Sequence, residues 1–184
     1  QYGLFLKGAG LSMEESLLFF QREFGKIMTA EQFNKNYSYN IRHMYGKEGK
    51  RASYTPYNCT KIILGNPPNA GDHHGCPYRH YDEEHLGALL AKMKIGSPSE
   101  RNEILNHKRS KNFPPACVKH FEITHPQAAP VKGANLDGVG NHPNAWFAVS
   151  VRYHNAQNGG TSSSTGLGPV TPTPLTPHAT PTKT

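Results

Sequence analysis

Met13, Leu17, Phe20 and Phe24 recur at helical spacing behind a clear start signal. Ser12 stands at the cap position and Glu15 three residues later, the pair that closes a capping box. Thr29 and Gln32 repeat that signal for a second, short helix that buries Phe33. Asp82 caps EEHLGALLAKM, where helical spacing turns Leu86, Leu89, Leu90 and Met93 inward. Ser97, Pro98 and Glu100 supply cap, first-turn proline and third-position acid for a helix reaching about Lys108. Cys117 and Phe121 share one face of a short helix beginning near Pro115. The opening run QYGLFLKGAGL reads instead as an apolar strand or turn segment, because Gly3, Gly8 and Gly10 punctuate it. CTKIIL and AWFAVSV are the remaining apolar stretches.

Between these elements lie long polar loops. Residues 34–58 interleave tyrosines and basic residues with Gly46 and Gly49, and no apolar period survives there. Asn69 to His80 is a loop rich in Gly, Asp and His. From about Asn155 the chain becomes a run of Gly, Ser, Thr and Pro with one charge, Lys183. The division expected is a folded domain over 1–154 and a disordered tail over 155–184. With 35% apolar residues, 18 Gly and 15 Pro, the core is thin for its length. A core this small, tied to loops this long, calls for an internal staple such as a metal centre. No apolar run approaches the ~18 residues that cross a bilayer. The chain opens without a targeting pattern and reads as beginning partway through a longer one.

Formal charge is +7, from 20 Lys and Arg against 13 Asp and Glu. That balance favours a polyanionic partner. Three cysteines without a secretion signal do not make a disulfide scaffold; they are metal ligands, buried thiols, or part of a larger set. Cys59, Cys76 and Cys117 are separated by 16 and 40 residues, with no CxxC pair, so spacing leaves those readings open. Cys76 follows a flexible loop in Gly75-Cys76-Pro77, and Cys117 is expected at a helix start, where amides favour a thiolate. A mixed zinc site can also be written from Cys76 with His80 and Cys117 with His120. A third reading, an iron–sulfur nucleic-acid enzyme, would rest on the loop carboxylates Asp72 and Asp137. Glu14, Glu15, Asp82, Glu83, Glu84 and Glu100 read as helix-start residues rather than a metal-holding cluster.

Five blocks then carry a resemblance. YGLFLKGAGLSMEESLLFF, YSYNIRHMYGKEGKRASYTPYNCTKIIL, NPPNAGDHHGCPYRH, ACVKHFE and GNHPNAWF resemble, in order, the C-terminal iron–sulfur domain of the eukaryotic and archaeal-type DNA primase large subunit. The resemblance covers roughly residues 1–147. It implies a mainly α fold: two helical subregions with long loops, bridged by a 4Fe-4S cluster. By motif, Cys59, Cys76 and Cys117 match the second, third and fourth ligands, and the first is expected upstream of Gln1. Lys7, Tyr37, Tyr39, Asn40 and His43 match the nucleic-acid contacts, while Phe20 replaces a larger aromatic and is read as packing. Arginines the family uses for the same junction also fall ahead of Gln1, so this stretch alone is expected to bind weakly. The implied role is that of a non-catalytic accessory subunit in DNA replication. It holds template DNA and the 5′-triphosphate end of an RNA primer through initiation and hand-off. The implied partners are the small catalytic subunit and DNA polymerase alpha in the primosome, in the nucleus and away from membranes.

Overall fold

The computed structural model describes residues 1–126 and 138–158. The helices in chain order are α1 (Tyr2–Gly8), α2 (Met13–Phe24), α3 (Ala30–Phe33), a π-helical turn (Asn34–Ser38), α4 (Tyr39–Met44) and α5 (Cys59–Leu64). They continue as α6 (Pro77–His80), α7 (Glu83–Lys92), α8 (Pro98–Arg109), α9 (Phe113–Thr124) and α10 (Pro143–Gln157). The fold is mainly α, as expected. Among the described residues the only β pairing outside strands is an isolated antiparallel bridge between Tyr45 and Ser53.

The caps read from sequence close as expected. Ser12 with Glu15, Thr29 with Gln32 and Ser97 with Glu100 each form a reciprocal capping box, and the Asp82 carboxylate accepts from the His85 amide. Such a cap stabilises a helix by about 0.5–2 kcal/mol, a large share for helices this short.

Packing gathers the helices into two groups. α1, α2, α3 and α4 touch one another, and α6, α7, α8 and α9 form the other set. The second set holds the main core, where Tyr78, Leu86, Leu90, Ile95, Ile104 and Ala116 are buried together. Phe121, Val139 and Val149 form a smaller core beside it. α10 links the groups by touching α1: Phe147 meets the Phe5 ring edge-on at 6.0 Å, and the Asn144 amide donates to the Phe5 carbonyl at 2.8 Å.

Several expectations need correction. The opening run is the helix α1, not a strand or turn. Its glycines are sites of close approach rather than breaks. A Cβ on Gly3 would lie 2.7 Å from the Met44 side chain, and one on Gly8 would lie 2.5 Å from Pro56 and 2.8 Å from Asn144. Residues 34–44 are helical as well, and their polar, aromatic pattern hid this because only Ser38 and Ile41 are buried. Met93 points outward, 54% exposed. Helix α7 ends just before it, the chain turns through Lys94 at φ 55°, and Ile95 enters the core instead. Helix α9 starts at Phe113, so Cys117 sits a full turn inside it rather than at its start. Helix α10 runs to Gln157, past the expected boundary at 154/155; the rest of the proposed tail, from residue 159, lies outside the described residues.

Two glycine substitutions should therefore move stability in opposite directions. Gly8→Ala overpacks the α1–α10 seam and should cost about 1–3 kcal/mol. Gly87→Ala, whose Cβ would meet only Leu105 at 3.8 Å, should stabilise α7 by about 0.5–1 kcal/mol. Urea unfolding of the two variants beside the parent checks both signs.

Candidate metal centre and nucleic-acid interface

The three cysteines come from different elements. Cys59 is the first residue of α5, Cys76 is the cap residue before α6, and Cys117 lies in α9. All three line one cavity of about 450 Å³, with Phe5, Ile62, Trp146 and Phe147 supplying apolar wall. The backbone amide of Cys59 donates to the Asn141 carbonyl at 2.8 Å, which fixes α5 against the turn leading into α10.

Burial raises the pKa of each thiol, and neighbouring thiols add to the rise at Cys59 and Cys117. Burial first, then the Cys76 thiol, lifts the Cys59 pKa to about 11. For Cys117 burial, then Cys59 and Cys76, lifts it to about 12, against a hydrogen bond from Tyr78. Cys76 is also raised by burial, while the amides of Arg79 and Tyr78 at the start of α6 favour its thiolate. Groups raised in this way stay neutral thiols near pH 7, and a thiolate would form here only beside a positive centre.

The mixed zinc arrangement does not form. Among the described residues no three His, Cys, Asp or Glu side chains group as ligands of one metal ion. His80 accepts at Nδ1 from the Cys76 amide at 2.9 Å, and His120 Nδ1 lies 2.8 Å from the Tyr78 hydroxyl. The three cysteines share the chamber wall, likewise without grouping as ligands of one ion.

The proposed nucleic-acid residues cluster only in part. Tyr39, 48% exposed, stacks on His43 with ring centroids 5.9 Å apart, and His43 meets Tyr54 at 5.1 Å. Asn40 is exposed on the same helix. Tyr37, in the π-helical turn, packs instead against Phe24 at 4.6 Å and Phe33 at 6.2 Å. Lys7 sits beneath the loop, its ammonium bound to the carbonyls of Met44 and Tyr54 and the hydroxyl of Ser53 at 2.7–2.8 Å. Burial lowers its pKa. Those bonds brace the 45–54 loop, with the Tyr45–Ser53 bridge, against α4. Arg42 is paired with Glu48 at 2.7 Å, whereas Lys47, Lys50 and Arg51 are exposed nearby. Tyr54 is the member of this face that sequence reasoning missed; its place in the same aromatic and basic run was the available signal.

The acidic residues have structural work. Glu15, Asp82 and Glu100 accept backbone amides at helix starts. Asp72 accepts from the Asn69 amide within a turn, and Asp137 lies outside the described residues. No described helix is long and apolar enough to cross a membrane.

The sequence is similar to those of known proteins. A family model for the C-terminal domain of the large subunit of eukaryotic and archaeal DNA primase matches residues 1–147. The DNA primase large subunit of Homo sapiens is 47% identical over 95% of this chain and 33% of its own length. That of Mus musculus is 49% identical over 83% of this chain and 29% of its own. That of Schizosaccharomyces pombe is 41% identical over 82% of this chain and 32% of its own. The chain thus spans about a third of the length of the curated relatives it matches. It belongs to the family formed by the C-terminal domain of the eukaryotic and archaeal DNA primase large subunit.

Proposed function

We propose that this domain is the non-catalytic, template- and primer-holding part of a primase. It binds template DNA and the 5′-triphosphate end of the RNA primer during initiation and hand-off. The observation that carries this reading is the ladder at the basic end of α4, where exposed Tyr39 and Tyr54 flank half-buried His43. Aromatic faces take bases or sugars without demanding a sequence, at about 1–3 kcal/mol per stacked base. Asn40 adds a directional amide, and Lys47, Lys50 and Arg51 add charge for phosphates. Lys7 holds the loop in register and contributes positive charge from beneath. Tyr37 reaches the strand only at the edge of the ladder, because Phe24 and Phe33 hold its ring.

On this reading Cys59, Cys76 and Cys117, with one further thiolate from the longer protein, hold a 4Fe-4S cluster. Such a group supplies covalent ties between segments far apart in sequence. Nucleotidyl transfer needs paired carboxylates around divalent metals. Glu15, Asp82 and Glu100 serve caps and Asp72 a turn, and on this reading the chemistry belongs to the small catalytic subunit. The partners are that subunit and DNA polymerase alpha in the primosome, and the compartment is the nucleus.

In the full-length protein, Tyr39→Ala should weaken binding to a 5′-triphosphate RNA–DNA junction about tenfold, equivalent to about 1.4 kcal/mol. Fluorescence anisotropy at fixed salt checks this, and unchanged affinity would remove Tyr39 from the interface. Cys76→Ala should lose iron and acid-labile sulfide together and lower the thermal midpoint. Stoichiometric zinc without sulfide in the parent protein would instead establish the zinc-stabilised module.

A further inference from the structure

The loop that ends the aromatic ladder carries an exposed serine with two cations just ahead of it. In Lys50-Arg51-Ala52-Ser53 the cations stand three and two residues before the hydroxyl, and all four residues are exposed. Glu48, the acid of this loop, is taken by Arg42 and leaves Lys50 and Arg51 to solvent. Ser110 also follows two cations, but its surroundings differ. Lys108 is engaged by the carbonyls of Tyr78 and Tyr81, Arg109 by the Glu83 carboxylate, and the Ser110 hydroxyl donates to the Asn106 carbonyl at the end of α8. Residues 51–58 lie outside any helix. Ser53 is held to α4 by the single bridge to Tyr45, by the adjacent Tyr54 amide donating to the Met44 carbonyl at 3.2 Å, and by Lys7. Presenting it to an enzyme therefore opens a loop and melts no helix.

Kinases of the basophilic class bind their substrates in acidic clefts, where cations two and three residues ahead of the hydroxyl supply the complementary charge. We infer that Ser53 is a phosphate acceptor for such a kinase, and that its phosphate switches off the nucleic-acid face. In the transfer, a bond forms between Ser53 Oγ and the γ-phosphorus of ATP as the bond from that phosphorus to its bridging oxygen breaks. ADP leaves with the electron pair, and the hydroxyl proton passes to the kinase's base. The effect on binding rests on the interface reading proposed above; the acceptor site does not. Ser53 Oγ already accepts from Lys7 Nζ at 2.8 Å, so the phosphate grows from a point beside that ammonium and pairs with it. A phosphoserine carries about −1.5 to −2 charges at pH 7. The cations of this face other than Arg42 are Lys7, Lys47, Lys50 and Arg51. One phosphate thus offsets up to about half of their positive charge. It does so next to Tyr54, the last ring of the ladder, where it repels the phosphates of a bound strand.

The test treats the full-length protein with magnesium ATP and the catalytic subunit of cyclic-AMP-dependent protein kinase, a basophilic enzyme, and maps the phosphate by peptide mass spectrometry. Phosphate should appear at Ser53, vanish in Ser53→Ala and enter more slowly in Arg51→Ala. Anisotropy titrations against the 5′-triphosphate RNA–DNA junction are then run on each protein before and after treatment. Affinity should fall about tenfold, and the slope of log K on log salt should become shallower by about one to two. Ser53→Ala should show no change on treatment. The thermal midpoint of the parent should hold or rise, because the phosphate pairs with Lys7. No phosphate at Ser53, or phosphate at Thr55 instead, overturns the acceptor assignment. Phosphate at Ser53 with affinity and slope unchanged removes the switch and leaves the interface reading intact. A parent that does not bind the junction overturns that reading and the switch with it, while the mapped acceptor stands. A fall in the thermal midpoint on phosphorylation would assign any weaker binding to an unfolded loop and overturn the electrostatic account.

Discussion

Three thiols held half-buried around one apolar chamber are the constraint on which the rest of this domain depends. A charge on any one is unfavourable where water is scarce, and more so where a neighbouring thiolate repels it. The chamber is also where the elements meet: α1 contributes Phe5, α5 and α9 contribute cysteines, the cap of α6 a third, and α10 closes it with Trp146 and Phe147. The groups least able to ionise and the convergence of the elements thus fall at the same point. The cluster proposed above would reinforce that convergence in a chain so rich in Gly and Pro.

The face proposed to meet nucleic acid is held together differently. It has little burial behind it: α4 is six residues long, and Ile41 is the buried residue among them. The π-helical turn feeding α4, the Arg42–Glu48 pair and the brace from Lys7 hold its geometry. A lysine whose ammonium donates to three oxygens of the chain fixes the loop that carries Tyr54, and so decides where the aromatic ladder ends. Ordering such a surface beforehand reduces the conformational entropy lost on binding.

Tyr78 and His120 connect the chamber to the packed core. Both belong to the half of the domain built on α6 to α9, and both border the chamber.

Sequence alone determined the helix starts, since a cap and its third-position acid act within one turn and need no distant partner. Ser12, Thr29, Asp82 and Ser97 all behave as their local pattern requires. It also singled out the three cysteines and the aromatic run through ordered motifs rather than spacing, and the fold brings the cysteines to one chamber. What it misread depends on contacts across the fold. Gly3 and Gly8 look like breaks until Met44, Pro56 and Asn144 arrive from elsewhere to fill the space a side chain would need. Met93 and Ile95 exchange places because a left-handed turn at Lys94, not helical periodicity, aims the chain there. The carbonyls that Lys7 binds, some forty residues away, likewise leave no local signal. Local patterns fix what depends on neighbours in the chain; which side chains share a chamber or a face is settled only by long-range packing, because those partners have no fixed separation in sequence.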